Sequence, residues 1–431
     1  MAESNSRPVS TGGFASVNLK NIGPIAEGKF QVKPLTLLTG RNGAGKTITS
    51  TLLYILQKCL WSSLRSNQRT FLASLTAIER TGTKEVHETQ NLELLALLQG
   101  SRFQGEIQSA FTDELTRAFG APKHILRHNT RTALFQVIHS LGWSFDCALT
   151  SNTLKTALTV HTITLPKPVK ESPRQPPPAR QSRIAAALRE AFGGWQDRPI
   201  MIPAGRAGIT DSYRYLAEQI LLERHGYRQG GPSGITRDFL ALLVGSTQAP
   251  FFGPEDTEFN DLVTRLFDPL LGGRLRPSSD PEELFTFDVK ENRIDRNVMS
   301  SMVKELGPMV VLLQQSMAKG TVLIVDEPEC HLHPRAQIEL ARALVLLVSQ
   351  DARFFLSTHS PYLAQSLSNT WVEQSRKGEV SSANMAVINF SDSAKGVTAK
   401  NVPFHEQYGF TFEDFTDSAN AVQDEFVELF S

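Results

Sequence analysis

Short apolar runs alternate with longer amphipathic stretches along most of this sequence. The uninterrupted apolar runs have the length of buried strands and lie at residues 35–40, 199–203, 321–325, 353–357 and 385–389. Between them, apolar residues recur three and four positions apart, as in residues 48–120 and 210–271, which predicts helices. At least five strands alternating with helices indicate an α/β fold with a mainly parallel central sheet covered on both faces.

Three other segments depart from this alternation. Residues 14–32 predict two short strands around a turn at 21–24, so the chain has a β-rich start. Residues 133–165 are rich in β-branched and aromatic side chains, which favours strands. The proline-rich run 166–183 cannot pack as helix or sheet and predicts an exposed linker.

An acidic stretch without lysine or arginine covers residues 401–431. Val422, Phe426 and Leu429 form an apolar stripe at helical spacing within it. The stripe packs either on the body of the protein or on a partner, and both alternatives stay open at this point.

Composition excludes several classes of protein. In 431 residues, the 44 lysine and arginine residues balance the 44 acidic ones, so no global charge indicates nucleic acid or an anionic membrane as the main partner. The three cysteines are far apart, which fits a reducing compartment better than a disulfide framework. No apolar run is long enough to span a membrane. We expect a soluble, cytoplasmic protein.

The most informative stretch is residues 40–47, GRNGAGKT, between a predicted strand and a predicted helix. Its glycines allow a tight turn whose backbone N–H groups approach phosphate oxygens at a helix N-terminus. Lys46 is expected to reach the β- and γ-phosphates of a nucleotide, and the Thr47 hydroxyl to bind Mg²⁺. The candidate nucleotide-binding residues of this loop are Asn42, Gly43, Gly45, Lys46 and Thr47.

Polar residues at the ends of other predicted strands supply the second half of a nucleotide site. The run 321–325 ends in Asp326 and Glu327, which predicts that Asp326 holds the metal and that Glu327 polarises the attacking water. The run 199–203 precedes Arg206, which either contacts the nucleotide or pairs with a carboxylate inside the protein.

These motifs together resemble ABC-type ATPases of the SMC-like and OLD-like class within the P-loop AAA proteins. Residues 40–47 resemble the Walker A motif, and residues 322–334, VLIVDEPECHLHP, resemble a Walker B motif in which Glu327 is catalytic. Residues 356–361, LSTHSP, resemble the switch-histidine loop, with His359 in that role. The resemblance implies ATP and Mg²⁺ as cofactors, and assembly into a homodimer or higher homo-oligomer.

The serine–glycine signature of such ATPases has one candidate here, residues 298–306, VMSSMVKEL. Ser300 and Ser301 match the pattern, whereas Met302 stands where glycine is usual. The resemblance implies that these serines contact the nucleotide of a second subunit. The alternative is an ordinary helix N-cap, since serine is among the favoured capping residues.

The resemblance also suggests an organisation for the chain. The expected parts are the first half of the ATPase head at 1–60, a helical and β insertion at 61–198 with the linker 166–183, a strand plus helical subdomain at 199–285, the second half of the head at 286–400, and the acidic tail at 401–431.

The leading functional hypothesis is a sensor or scaffold ATPase of a bacterial anti-phage defence system. The chain resembles the stand-alone ATPase subunits of systems such as Septu, PARIS and retron-associated operons. OLD-like proteins carry a nuclease domain after the ATPase, and the about 70 residues after His359 are too few for a domain of typical size. We therefore expect a separate effector, a nuclease or toxin, with DNA or a phage-derived molecule as trigger.

An alternative hypothesis is an SMC-like ATPase of DNA repair or DNA-end processing. Such proteins carry long heptad coiled coils between their head motifs, and residues 62–285 show no sustained heptad repeat. A nucleotide-dependent scaffold with little turnover is a third hypothesis, against which Glu327 argues.

Overall fold

One large twisted sheet with helices on both faces organises the protein. The computed structural model describes residues 15–430 except 80–85, 166–179, 194, 196, 225–233, 249–256, 279, 281–282 and 317–321. The strands are β1 Ala15–Ile22, β2 Ile25–Val32, β3 Leu35–Gly40, β4 Thr132–His139, β5 Trp143–Thr150, β6 Leu154–Val160, β7 Ile200–Ile202, β8 Arg274–Pro277, β9 Phe285–Val289, β10 Asn292–Arg293, β11 Val322–Asp326, β12 Arg353–Ser357, β13 Met385–Ser393 and β14 Gly396–Val402. The helices are α1 Lys46–Ser66, α2 Gln68–Glu79, α3 Val86–Gln99, α4 Ser101–Phe119, α5 Arg180–Phe192, α6 Arg206–Asp211, α7 Tyr213–Arg224, α8 Gly234–Gln248, α9 Thr257–Leu271, α10 Ser301–Ser316, α11 Pro334–Val348, α12 Pro361–Arg376 and α13 Glu413–Phe430.

Five parallel strands form the half of the sheet that carries the motifs. Their order is β13-β3-β12-β11-β7, with all four neighbouring pairs parallel. The carboxyl ends of β3, β11 and β12 therefore meet at one edge of the sheet. The predicted α/β fold and the five buried strands are confirmed.

The other half of the same sheet is antiparallel except for the parallel pair of β2 with β14, and the sequence pattern did not predict it. The full sheet has 11 strands in the order β6-β5-β4-β1-β2-β14-β13-β3-β12-β11-β7. The predicted strands of the β-rich start and of residues 133–165 are present: β2 joins the sheet beside β14, and β4 joins it beside β1. Alternating burial along β4 and β5 shows that this half presents only one apolar face.

Two hydrophobic cores lie on opposite faces of the parallel strands. On β11, Ile324 packs in the core that contains α1, whereas Leu323 and Val325 pack in the core that contains α10, α11 and α12. On β12, Phe355 points to the first core and Phe354 to the second. The alternation of side chains along a strand thus buries both faces, as the continuous apolar runs predicted.

The structure describes only part of the predicted linker but nearly all of the acidic tail. Residues 166–179 of the predicted linker lie outside the described residues. Helix α5 begins at Arg180, so the prediction that the linker extends to residue 183 is wrong. In the tail, α13 is a helix on which Phe426 and Leu429 are exposed, while the Val422 side chain lies outside the described residues. Within the described part of the chain, no helix is both long and apolar enough to cross a bilayer.

A partly buried cluster of charges joins α1 to the helices that cover it. The Lys58 Nζ of α1 donates to Glu114 Oε2 of α4 at 2.7 Å and to Asp238 Oδ2 of α8 at 2.5 Å. The Tyr54 hydroxyl donates to the same Asp238 oxygen at 2.9 Å. The Lys58 side chain is only 18% exposed, so its charge compensates two carboxylates that are largely shielded from water.

Lys58→Met should lower the free energy of unfolding by about 2–3 kcal/mol, because it leaves two partly buried carboxylates without their common cation. Urea denaturation followed by circular dichroism measures this change. The matched control is Lys377→Met, which removes an exposed pair with Glu373 and should have no measurable effect. Equal stability of both variants would contradict a structural role for the Lys58 cluster.

Candidate functional site

The glycine loop connects β3 to α1 and has the backbone geometry that the sequence predicted. Gly40, Gly43 and Gly45 all have positive φ angles, 127°, 74° and 101°. A Cβ atom at Gly40 would lie 2.4 Å from the Phe390 carbonyl oxygen of β13, so a side chain does not fit there. Helix α1 begins directly after the loop, with the Thr49 N–H donating to the Gly45 carbonyl at 3.0 Å. The loop residues Asn42 and Gly43 are exposed.

The Lys46 side chain is folded over the loop and is almost fully buried. Its Nζ donates to the carbonyl oxygens of Gly40 at 2.7 Å and Arg41 at 2.9 Å, and lies 3.4 Å from His359 Nδ1. Burial lowers the pKa of Lys46 to about 8, against the opposing effect of Asp326 and Glu327. Lys46 is therefore mostly cationic at neutral pH, and an anion at the loop would replace the Gly40 and Arg41 carbonyls as its acceptors.

The Asp326 carboxylate at the end of β11 lies beside the start of α1. It accepts a hydrogen bond from Thr47 Oγ1, with Oδ2 at 3.0 Å, and another from the Ser357 hydroxyl at the end of β12. A hydroxyl and a buried carboxylate that converge are hard oxygen ligands of the kind Mg²⁺ prefers. Thr47 and Asp326 thus fit the metal-binding role that the sequence predicted for them.

Glu327 follows Asp326 and has an uncommon backbone conformation for a residue with a side chain, with φ of 47°. Its N–H donates to the Ser357 carbonyl at 3.1 Å. One carboxylate oxygen, Oε1, lies 3.4 Å from His359 Nε2, and the other accepts from the Cys330 thiol at 3.6 Å. The side chain is 35% exposed, so water can reach this carboxylate.

His359 lies between Lys46 and Glu327. Burial, and next the neighbouring Lys46 cation, lower the pKa of His359, which favours the neutral ring. The Lys46 ammonium can only donate, so Nδ1 is the acceptor and the proton of the neutral ring is on Nε2, which lies 3.4 Å from Glu327 Oε1. The three side chains therefore form a chain of contacts across the site.

Glu329 is a site residue that sequence reasoning missed. Its Oε1 accepts from the Thr358 hydroxyl at 2.6 Å and from the His359 N–H at 2.8 Å. The residue is only 8% exposed, and burial raises its pKa. The sequence contained one signal of this role, a third carboxylate two residues after Glu327. It was not informative by itself, because acidic residues in loops are commonly exposed.

Arg206 has the second of its two predicted roles, pairing with a carboxylate inside the protein. Its side chain is 1% exposed, and its Nε lies 3.2 Å from Glu305 Oε2. The remaining guanidinium hydrogens go to backbone carbonyls, including those of Asp326 at 3.0 Å and Glu327 at 3.1 Å. The expected direct contact with nucleotide does not fit this burial, because every nitrogen of the guanidinium already donates to protein.

Ser300 and Ser301 lie exposed at the start of α10. The Ser300 Oγ accepts from the Val303 N–H at 3.3 Å, so it caps the helix. The Ser301 residue, which begins α10, remains at the protein surface.

Solved structures of SMC heads share low sequence identity with this chain. The head bound to the C-winged helix domain of ScpA is 12% identical, with a TM-score of 0.44 over 90% of this chain and 96% of that one. The head domain from Thermotoga maritima is 10% identical, with a TM-score of 0.39 over 90% and 99%. The head with an extended coiled coil, bound to the C-terminal domain of ScpA from Pyrococcus furiosus, is 12% identical, with a TM-score of 0.41 over 95% and 98%.

No curated protein matches the chain. Residues 236–365 match the family described as "AAA domain, putative AbiEii toxin, Type IV TA system". The matched segment contains α10, the Asp326–Glu327 pair and His359. The chain is therefore similar to AAA domains over residues 236–365, and the glycine loop at 40–47 lies outside the matched segment.

Proposed function

We propose that this protein binds and hydrolyses ATP, and that it assembles around ATP as the cytoplasmic sensor subunit of a bacterial anti-phage defence system. The observation that carries the ATPase part is the convergence of Lys46, Asp326, Glu327 and His359 at one edge of the sheet. Hydrolysis of a phosphoanhydride can use all four groups: a cation, a metal-binding carboxylate, a partly exposed carboxylate and a neutral imidazole.

Each of these groups has a distinct role in the proposed reaction. The Lys46 ammonium and the N–H groups of residues 43–47 bind the β- and γ-phosphates. Thr47 and Asp326 would hold Mg²⁺, which would offset phosphate charge. Glu327 orients the attacking water and accepts its proton. His359 Nε2 lies 3.4 Å from Glu327 Oε1 beside the carboxylate, while Glu329 holds the His359 backbone.

Assembly around ATP is supported by the position of the signature candidate. Ser300 and Ser301 begin a helix that packs on α6 and α9, and its first residues are exposed. In the proposed assembly these residues contact the γ-phosphate bound by Lys46 of a second subunit. Both a homodimer and a higher homo-oligomer satisfy this requirement.

The defence role has weaker support, from the motifs and from the description of the matched family, which names a toxin of a type IV toxin–antitoxin system. The proposal includes a separate effector, a nuclease or toxin, and DNA or a phage-derived molecule as trigger. The acidic helix α13, with Phe426 and Leu429 exposed, is a surface that such a partner could use.

The alternative function is DNA repair or DNA-end processing by an SMC-like ATPase. The described part of the insertion argues against a long coiled-coil arm, because α2, α3 and α4 have 12, 14 and 19 residues and pack on one another and on the sheet. The defence proposal is therefore the better supported of the two.

Glu327→Gln should retain ATP binding but lower kcat by about 100-fold or more, because the amide cannot accept the proton of the attacking water. Lys46→Ala should instead lose nucleotide binding, since the loop loses its cation. Titration with a fluorescent ATP analogue and a phosphate-release assay separate the two effects. Near-normal turnover by Glu327→Gln would place the catalytic base elsewhere.

Mixing Lys46→Ala with Ser301→Arg should restore hydrolysis although each variant alone is inactive. In a mixed dimer one site receives an intact loop and an intact α10 terminus, so an equal mixture should reach roughly a quarter of wild-type activity. A titration of one variant against the other measures the recovery. The shared site would be refuted by two results together: mixed dimers form, as crosslinking demonstrates, without recovering hydrolysis, and the wild-type rate is proportional to protein concentration.

The defence role predicts that the gene, expressed with its flanking reading frames, lowers the plaquing efficiency of sensitive phages. Glu327→Gln and deletion of the flanking effector frame should each abolish this protection. The control is Lys377→Met, which alters only an exposed ion pair and should protect as well as the wild type. Unchanged plaquing across a broad phage panel, with sensitivity to DNA damage after gene deletion, would favour the repair function instead.

A further inference from the structure

A fully buried ion pair connects the helix of the signature candidate to the loop that carries Glu327. The Glu305 carboxylate on α10 is 0% exposed and accepts from the backbone N–H groups of Arg206 and Ala207, each at 3.0 Å. Arg206 Nε donates to the Glu305 carbonyl oxygen at 3.0 Å as well. Two buried charges with this many hydrogen bonds fix α6 and α10 relative to each other.

The rest of the Arg206 guanidinium is bonded to backbone rather than to side chains. Nη1 donates to the carbonyls of Pro203 at 2.9 Å and Asp326 at 3.0 Å. Nη2 donates to the carbonyl of Glu327 at 3.1 Å and approaches that of Pro328 at 3.5 Å. One planar group thus binds three consecutive carbonyls of the loop after β11.

These bonds matter most at Glu327, whose φ of 47° is rarely adopted by a residue with a side chain. The Glu327 N–H is held by the Ser357 carbonyl, and its own carbonyl is held by Arg206. The peptide units on both sides of this residue are therefore fixed from outside the loop. Without the guanidinium, the loop can relax to an ordinary backbone conformation that turns the carboxylate away from His359.

Two further bonds attach α10 to α6, the helix that begins with Arg206. The Lys304 Nζ pairs with Asp211 Oδ1 at 2.8 Å, and the Thr210 hydroxyl donates to the Lys304 carbonyl at 2.9 Å. A displacement of α10 therefore moves α6, and with it the Arg206 backbone. Ser301 begins α10 only one turn before Glu305.

We propose that Arg206 is a positioning residue for Glu327, and that the Arg206–Glu305 pair transmits the position of α10 to the hydrolytic carboxylate of the same chain. This inference rests on the proposed function, in which α10 contacts the nucleotide of a second subunit. The pair then connects the two nucleotide sites of an assembly, because α10 of each chain contacts one site while Glu327 of the same chain lies in the other.

The test compares Arg206→Lys with Arg353→Lys. Lysine keeps the positive charge opposite Glu305 but has its three N–H donors on a single nitrogen, so it cannot reproduce the bonds of the planar guanidinium to Glu305, Pro203, Asp326 and Glu327. Arg353 is a matched control, because it is a partly buried arginine at the start of β12, and its Nη1 donates to the Gly193 carbonyl at 2.5 Å. Thermal unfolding and circular dichroism establish that both variants are folded.

Arg206→Lys should lower kcat by between about 10- and 100-fold while the KM for ATP stays within about threefold of wild type, since a small misplacement of a catalytic group affects mainly the chemical step. Arg353→Lys should keep kcat within about twofold. Glu305→Gln should resemble Arg206→Lys, and the double variant should lose no more than the stronger single variant, because the two residues act as a unit.

Hydrogen–deuterium exchange gives a readout that does not depend on hydrolysis. In nucleotide-free protein, peptides covering residues 326–332 should exchange at least about tenfold faster in Arg206→Lys and in Glu305→Gln, but not in Arg353→Lys. Unchanged exchange would overturn the positioning role, and multiplicative losses of kcat in the double variant would overturn the link to α10. Wild-type protein without ATP hydrolysis would refute the proposed function, while faster exchange would still support the positioning of Glu327.

Discussion

The geometry of the site depends on the Asp326 carboxylate, which is buried between the start of α1 and the end of β12. It accepts one hydrogen bond from Thr47, at the start of α1, and one from Ser357, at the end of β12. A buried charge is tolerated only where such donors replace water. The two bonds therefore fix the ends of β11 and β12 and the glycine loop relative to one another, and the positions of Lys46, Glu327 and His359 follow from this arrangement.

Two further buried ionisable side chains hold the backbone beside the site. Glu329 holds the backbone of His359, and Arg206 holds the backbone of Glu327. Both residues act on N–H or carbonyl groups rather than on the side chains that face the nucleotide site. This division keeps the reactive side chains accessible while the backbone that aims them is fixed, which is the arrangement that pre-organised catalysis requires.

The sheet also explains how the insertion is attached to the head. Strands β4, β5 and β6 extend the main sheet beyond β1, and the Lys58 cluster ties α4 and α8 to α1, the helix that begins at the glycine loop. Residues 61–198, the predicted insertion, are therefore connected to α1 both through the sheet and through this cluster.

The sequence by itself determined the elements and the chemistry of the motifs. The glycine loop, the strand ending in Asp326 and the strand preceding His359 were predicted because a local pattern of apolar, glycine and polar residues specifies each of them. The tertiary structure alone decided how the pieces combine. The pairing of β1 with β4, the burial of Arg206 against Glu305, and the contact of Glu329 with the His359 backbone bring together residues about 30 to 120 positions apart. A local sequence pattern does not identify such distant partners. An arginine that will be buried has the same sequence signature as an exposed one, because only tertiary packing decides which of them loses its water.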